Sequence, residues 1–179
     1  FKAEPGRFIV LAVTFGLREH GPASLRYAEL ARSVASPSPT LAQVREAVLA
    51  LRRGKSMVLD PTDENRRSVG SFFLNPVFDA ERANRVAERA VAAGVIARAS
   101  ELPSFAADGG VKLPAAWLIE RAGFTKGLRV GQVGISSRHS LALVHHGGGS
   151  SDALIALART IQAGVYAQFG VELQPEPVL

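Results

Sequence analysis

The chain of 179 residues contains no cysteine. Disulfides, thiolate metal sites and a cysteine nucleophile are therefore excluded, and a reducing, cytoplasmic setting is the expectation. Aromatic residues are scarce at 7%, with one tryptophan and two tyrosines. Most phenylalanines fall in apolar runs, so the interleaved basic and aromatic stripe that nucleic-acid binding needs is missing. No apolar run approaches the roughly 20 residues of a membrane span. The first residues lack the basic-then-apolar order of a signal peptide. Internal repeats and a Rossmann glycine fingerprint are likewise absent. What is present, 47% hydrophobic and 21% charged residues, describes a globular chain. Its length suits one ordinary domain or two small ones. Lysine and arginine total 21 against 16 acidic residues, a net charge of +5. Such a balance suits an anionic partner, whether phosphate, carboxylate or nucleic acid, but for a bare charge count a solvated arginine-rich surface is the ordinary explanation.

Elements can be placed along the chain from local signals. Residues 7–17 are apolar and β-rich, which predicts a buried strand that needs a sheet to join. The chain is accordingly expected to start inside a domain whose earlier part precedes it. Thr40 and Gln43 form a capping-box pattern, with Leu41, Val44, Val48 and Leu51 on one face and Gly54 as a stop. The polar stretch "KSMVLDPTDENRR" is the expected domain boundary. A strand over 71–78 follows. Asp79 caps a helix running to Gly94, with Val86, Ala90 and Ala93 on its apolar side. Residues 98–112 read as a loop, and Pro114 as the start of a short helix ending near Gly123. "LRVGQVGIS" and "LALVHH" read as two strands. Ser150 or Ser151 caps a last helix that carries Leu154, Ala158, Ile161 and Val165 and stops at Gly170. "VELQPEPVL" is a final strand broken by two prolines. The expected class is α+β.

Several residues could carry chemistry. In "RRSVGSFFLNP", Gly70 suits a positive φ or a close approach, and Ser71 is either part of a tight turn or a presented hydroxyl. His145 and His146 are strand neighbours that point to opposite faces, so they cannot chelate one metal ion, and no metal site is expected. "GGGSSD" precedes a helix but lacks the P-loop lysine, and conformational need explains its glycines. Lys55, Lys112 and Lys126 sit in loops or at element ends, where a solvated lysine is the ordinary outcome and a shared anion site the sharper one. Glu176 lies between two prolines. It either ends a strand at a turn or is a carboxylate held at a site, with a raised pKa if buried.

"SVGSFFLNP", "VKLPAAWLIERAGFTKG" and "ELQPEPV" occur in this order, and "LRYAELA" precedes them. Together they resemble the UDP-N-acetylenolpyruvoylglucosamine reductases, a flavoenzyme family, over nearly the whole chain. The resemblance implies residues 1–62 as the C-terminal part of an FAD-binding domain and 63–179 as an α+β substrate-binding domain. It implies an NADPH- and FAD-dependent reduction of a UDP-sugar enolpyruvyl ether, the second step of peptidoglycan precursor synthesis. Hydride goes to the terminal carbon of the double bond and a proton to its neighbour. Ser71 is then the proton donor, poised by geometry more than by acidity. Glu176 becomes a neutral, buried carboxyl at the enolate. Tyr27, Lys55 and Asn75 would contact the nucleotide, Lys112 and Lys126 the diphosphate, and Gly70 would leave room for the flavin ring. His139 falls where the family varies. The family's arginine, in a Tyr-Arg-x-Ser motif, and its flavin loops are expected ahead of Phe1. This chain by itself is expected neither to retain FAD nor to reduce substrate. A non-catalytic module of the same fold, binding a nucleotide or a protein, is the other reading.

Overall fold

The computed structural model describes residues 4, 6–17, 21–34 and 36–177. Phe1–Ala3, Pro5, Val178 and Leu179, which belong to segments that carry the resemblance, lie outside the described residues. The chain divides into two compact units, Phe1–Val48 and Leu49–Leu179.

In the first unit the expected strand over 7–17 does not form, and Ile9, Leu11 and Leu17 are almost fully exposed. An extended run supplies only half of a ladder, and apolar composition cannot replace the missing half. Tyr27 precedes a short helix, α1 (Ala28–Ser33). Helix α2 (Leu41–Gly54) starts where the capping box predicts. Thr40 Oγ1 accepts from the Gln43 N–H at 3.2 Å, and Gln43 Oε1 accepts from the Thr40 N–H at 2.9 Å.

The second unit is α+β, built on two antiparallel sheets. One holds β1 (Ser68–Ser71), β5 (Arg129–Val130), β6 (Val133–Ile135) and β7 (Ala142–His145) in the order β1-β7-β6-β5. The other holds β2 (Val77–Phe78), β3 (Phe105–Ala107) and β4 (Gly110–Lys112) in the order β2-β4-β3. Helices α3 (Ala80–Ala92), α4 (Ala115–Arg121) and α5 (Ser151–Phe169) pack around them. The caps are those the sequence offers. Asp79 accepts from the Arg82 N–H, Ser150 from the Ala153 N–H, and Gly170 ends α5 at φ +69°.

The strand expected over 71–78 is two strands in two sheets, because the chain leaves the first sheet at Phe72 and joins the second at Val77. The loop expected over 98–112 contains a hairpin, β3 to β4, turning at Asp108-Gly109. Gly110 is obligatory there: a Cβ would stand 2.1 Å from the Phe78 carbonyl oxygen. "LRVGQVGIS" is likewise two strands, β5 and β6, joined at Gly131-Gln132. Ala93, expected on the buried side of α3, is its exposed C-cap residue. The final strand reduces to one bridge, Phe73 to Pro175. Even so it is well tied: the Leu74 N–H donates to the Gln174 carbonyl (2.9 Å) and the Glu176 N–H to the Phe72 carbonyl (2.8 Å). The core gathers Phe72, Phe73, Leu113, Leu118, Ile161 and Phe169, all essentially without exposure.

Candidate active site

Strand β1 delivers Ser71 with an irregularity that only its partner reveals. Ser68 lies opposite Val144 and Ser71 opposite Ala142, so β1 advances three residues while β7 advances two. The extra residue makes a bulge, and Gly70, at φ +83°, supplies the backbone that a bulge needs. A bulge turns the next side chain out of its regular alternation. Here that side chain is Ser71, half-buried, with its hydroxyl oxygen 3.3 Å from His139 Nε2. A Cβ built on Gly70 would meet nothing within 4 Å. The glycine is thus required by its φ and faces open space. A hollow of about 340 Å³ adjoins it, lined by Arg52, Met57, Arg66, Ser68 and Gly70 among others.

His139 comes from the turn between β6 and β7, which is fixed from several directions. Asn65 is buried (2% exposed), although it lies in the polar stretch expected to be a domain boundary. Its Oδ1 accepts the Ser137 N–H at 3.0 Å, and its Nδ2 donates to Ser137 Oγ at 3.0 Å and Ser56 Oγ at 3.2 Å. Arg138 donates to the Arg53 carbonyl at 3.0 Å. These bonds join the segment after α2 to the turn. Asp63 is part of the same knot. Its burial would raise its pKa, but hydrogen bonds from Asn65 and Ser56 and the charge of Arg138 hold it below the ordinary aspartate value.

Burial, then the charges of Lys55 and Lys126, hold the His139 imidazole below the usual histidine value of 6.5. Lys126 also lies 3.6 Å from Glu120, which accepts the Ser140 hydroxyl. Lowering a histidine's folded pKa makes the neutral ring part of the native state. Its contribution is fully present above the unfolded value, about 6.5, and is lost as pH falls through the lower folded value. Asp60 and Asp63, whose folded values lie below 3.8, act only in a more acid window. The stability advantage of the unsubstituted chain over His139→Gln is therefore expected to shrink between pH 7.5 and pH 5. Urea midpoints at a series of pH values measure it, and a pH-independent difference refutes it.

The other candidate residues are placed as follows. Glu176 docks by its backbone on Phe72, the residue after Ser71, but its side chain is exposed, which corrects the expectation of a buried carboxyl. Pro175 and Pro177 stiffen the backbone and cover nothing over the carboxyl. Asn75 carries a duty the sequence did not show: its Oδ1 accepts the Ala115 N–H at 2.8 Å and so satisfies the start of α4. Lys112 pairs with Val77 in the second sheet, beside the Asn75-Pro76 corner. Tyr27 belongs to the first unit and is exposed. His145 closes the glycine loop, with Nδ1 accepting the Gly147 N–H and Nε2 facing the Gly149 carbonyl at 2.8 Å. That loop thus spends an N–H that a phosphate would require.

A family model for the C-terminal domain of UDP-N-acetylenolpyruvoylglucosamine reductase matches residues 60–179. Curated proteins of that name are similar to this chain. The one from Thermobifida fusca is 48% identical over 97% of the chain and 49% of the relative. That from Saccharopolyspora erythraea is 51% identical over 96% and 48%, and that from Mycobacterium tuberculosis 44% identical over 96% and 47%. The chain spans about half the length of the curated relatives it matches. With the matched domain taking in the bulged strand, the His139 turn and the docked C-terminal segment, the chain belongs to the UDP-N-acetylenolpyruvoylglucosamine reductase family.

Proposed function

We propose that this chain supplies the substrate-binding half of an enzyme that reduces UDP-N-acetylglucosamine enolpyruvate to UDP-N-acetylmuramate, with NADPH and FAD, for peptidoglycan synthesis in the cytoplasm. Residues 63–179 are the substrate domain in this reading, and residues 1–62 the end of the FAD-binding one. The observation that carries it is Ser71 on its bulge, half-buried, bonded to His139 and bordered by open space at Gly70.

The residues fit one edge of a flat ring. Gly70 has no side chain, a positive φ and a hollow beside it, so a flavin can approach the backbone next to Ser71. FAD, recharged by NADPH, supplies the hydride. The chain's own residues supply the remainder. Reduction drives negative charge onto the substrate carboxylate, and the site must hold that charge. Lys55 and Lys126 are close enough to bias His139, so a positive field already covers this position. Lys112 and Lys126 serve the diphosphate, and Lys55 and Asn75 the rest of the nucleotide. Glu176, its backbone N–H bonded to the Phe72 carbonyl, is the second residue at the enolate. Ser71 passes its hydroxyl proton to the carbon next to the carboxylate, forming the C–H bond as its O–H bond breaks.

Titration of the isotope-labelled chain with UDP-N-acetylmuramate tests the site. Amide shifts are expected at Ser71, Lys55, Lys112 and Lys126, with an affinity that weakens as salt rises. Shifts confined to other surfaces overturn the assignment. Joined behind the N-terminal half of the Thermobifida fusca relative, the chain is expected to support NADPH oxidation that depends on the enolpyruvyl substrate. Binding without such turnover returns the non-catalytic reading.

A further inference from the structure

The geometry points to His139 as the positioning residue for Ser71: its Nε2–H donates to Ser71 Oγ, and the hydroxyl hydrogen is left to face the open side at Gly70. This deepens the reading above and rests on Ser71 being the proton donor.

A serine hydroxyl has one hydrogen to donate and two lone pairs to accept with. The 3.3 Å contact with Nε2 therefore has two forms. If Ser71 donates, its one hydrogen is spent on the ring, and the pair becomes a nucleophile with its base. If the ring donates, Ser71 keeps its hydrogen for substrate. Only the second form suits a residue whose task is to give a proton to carbon.

The surroundings favour the neutral ring. His139 is near the charges of Lys55, just past α2, and Lys126, from the turn after α4, and Arg138 is its neighbour in the chain. Glu120 of α4 and Glu64 are the acidic groups nearby, and each is already engaged, with Lys126 and Ser140 in one case and the Ser137 hydroxyl (2.8 Å) in the other. A neutral ring has one N–H. Placed on Nε2, it also serves the later moment of the reaction. When the Ser71 proton has gone to carbon, the oxygen left behind carries negative charge, and Nε2–H is the donor that holds it until water returns a proton.

Independent support comes from how firmly the ring is presented. The His139 carbonyl accepts the Ala142 N–H at 3.0 Å, and Ala142 is the register partner of Ser71. On the other side, buried Asn65 clamps Ser137 through both ends of its amide. The turn is thus closed on itself and clamped from the segment before β1, and the Phe72 N–H to Leu141 carbonyl bond (2.8 Å) ties it to the residue after Ser71.

Nitrogen-15 NMR of the complete 179-residue chain tests this without cofactor or substrate. At pH 7.5, long-range couplings are expected to show His139 neutral with its proton on Nε2, and Ser71→Ala to move the Nε2 resonance. A proton on Nδ1, or an imidazolium, overturns the proposal. In the fusion with the N-terminal half of the relative, His139→Phe is expected to slow product formation roughly tenfold, the worth of one hydrogen bond. His139→Gln, whose amide N–H can reach the same oxygen, is expected to recover most of that loss. An equal loss in both variants counts against a donor role. If instead Ser71→Ala turns over normally, the assignment of Ser71 as proton donor falls, whatever the ring tautomer.

Discussion

Ser71→Ala is expected to slow formation of the reduced sugar nucleotide by about 10²- to 10⁴-fold, the usual span for loss of a positioned acid. NADPH consumption in the absence of sugar substrate should stay close to its unsubstituted rate, because the hydroxyl has no part in that half of the cycle. The substitution is mild in every other respect. Alanine removes one oxygen and leaves the bulge at Gly70, the register of Ser71 with Ala142 and the Phe72 N–H to Leu141 carbonyl bond of 2.8 Å untouched. The fold loses one hydrogen bond to His139, worth about 1 kcal/mol. Stability and chemistry are thereby separated by orders of magnitude. Stopped-flow measurement of both halves of the cycle, in the fusion that carries a flavin-binding half, reads them individually. An equal loss in the two halves removes Ser71 from the role of proton donor.

How far the sequence could be read differs by element, for a physical reason. Helix ends were legible because a cap is a local bond. Thr40 with Gln43, Asp79, Ser150 and Gly170 each act within four residues of themselves. Strands are harder to place because pairing is not local. Apolar content over 7–17 has the composition of a strand, but among the described residues no strand lies there. The run 71–78 looked continuous, and no property of its own residues shows that it changes sheets. In 98–112 the Asp108-Gly109 turn was a usable hairpin signal, hidden because each arm is only three residues long.

The site shows the same division. Ser71 stood out through the residues around it. The bulge that aims it is defined against β7, some seventy residues later, and could not be seen. His139 lies 68 residues from Ser71, in a turn with no motif of its own. Asn65 read as linker because its neighbours are polar, yet it is buried with its amide satisfied by Ser137 and Ser56. A buried asparagine between charged residues could have been suspected of such a duty only by asking where each polar group finds its partner. Glu176 shows the opposite case. Two prolines do fix a backbone, and that backbone is docked, but the buried carboxyl that the resemblance implies is an exposed one here.

Phe72→Ala is expected to cost about 3–5 kcal/mol, a large share of the roughly 5–15 kcal/mol that an ordinary domain has. Phe72 and Phe73 are each 1% exposed, and their rings meet edge to face with centroids 5.1 Å apart, so both lie in one core. The backbone at Phe72 is held as well: its N–H bonds the Leu141 carbonyl, and its carbonyl takes the Glu176 N–H. Removing the ring leaves a void beside Phe73. Phe105→Ala is the control. Phe105 is on a strand but is 57% exposed, so its loss should fall within about 0.5 kcal/mol. Urea midpoints at unchanged slope separate the two. Equal, small losses would show that Phe72 is not the anchor. Because Phe72 lies between Ser71 and the backbone that holds Glu176, its loss should also weaken UDP-N-acetylmuramate binding at temperatures where the variant is still folded. That second effect ties the core to the site: the ring that stabilises the fold also sets the spacing between the two residues proposed to act on the enolate.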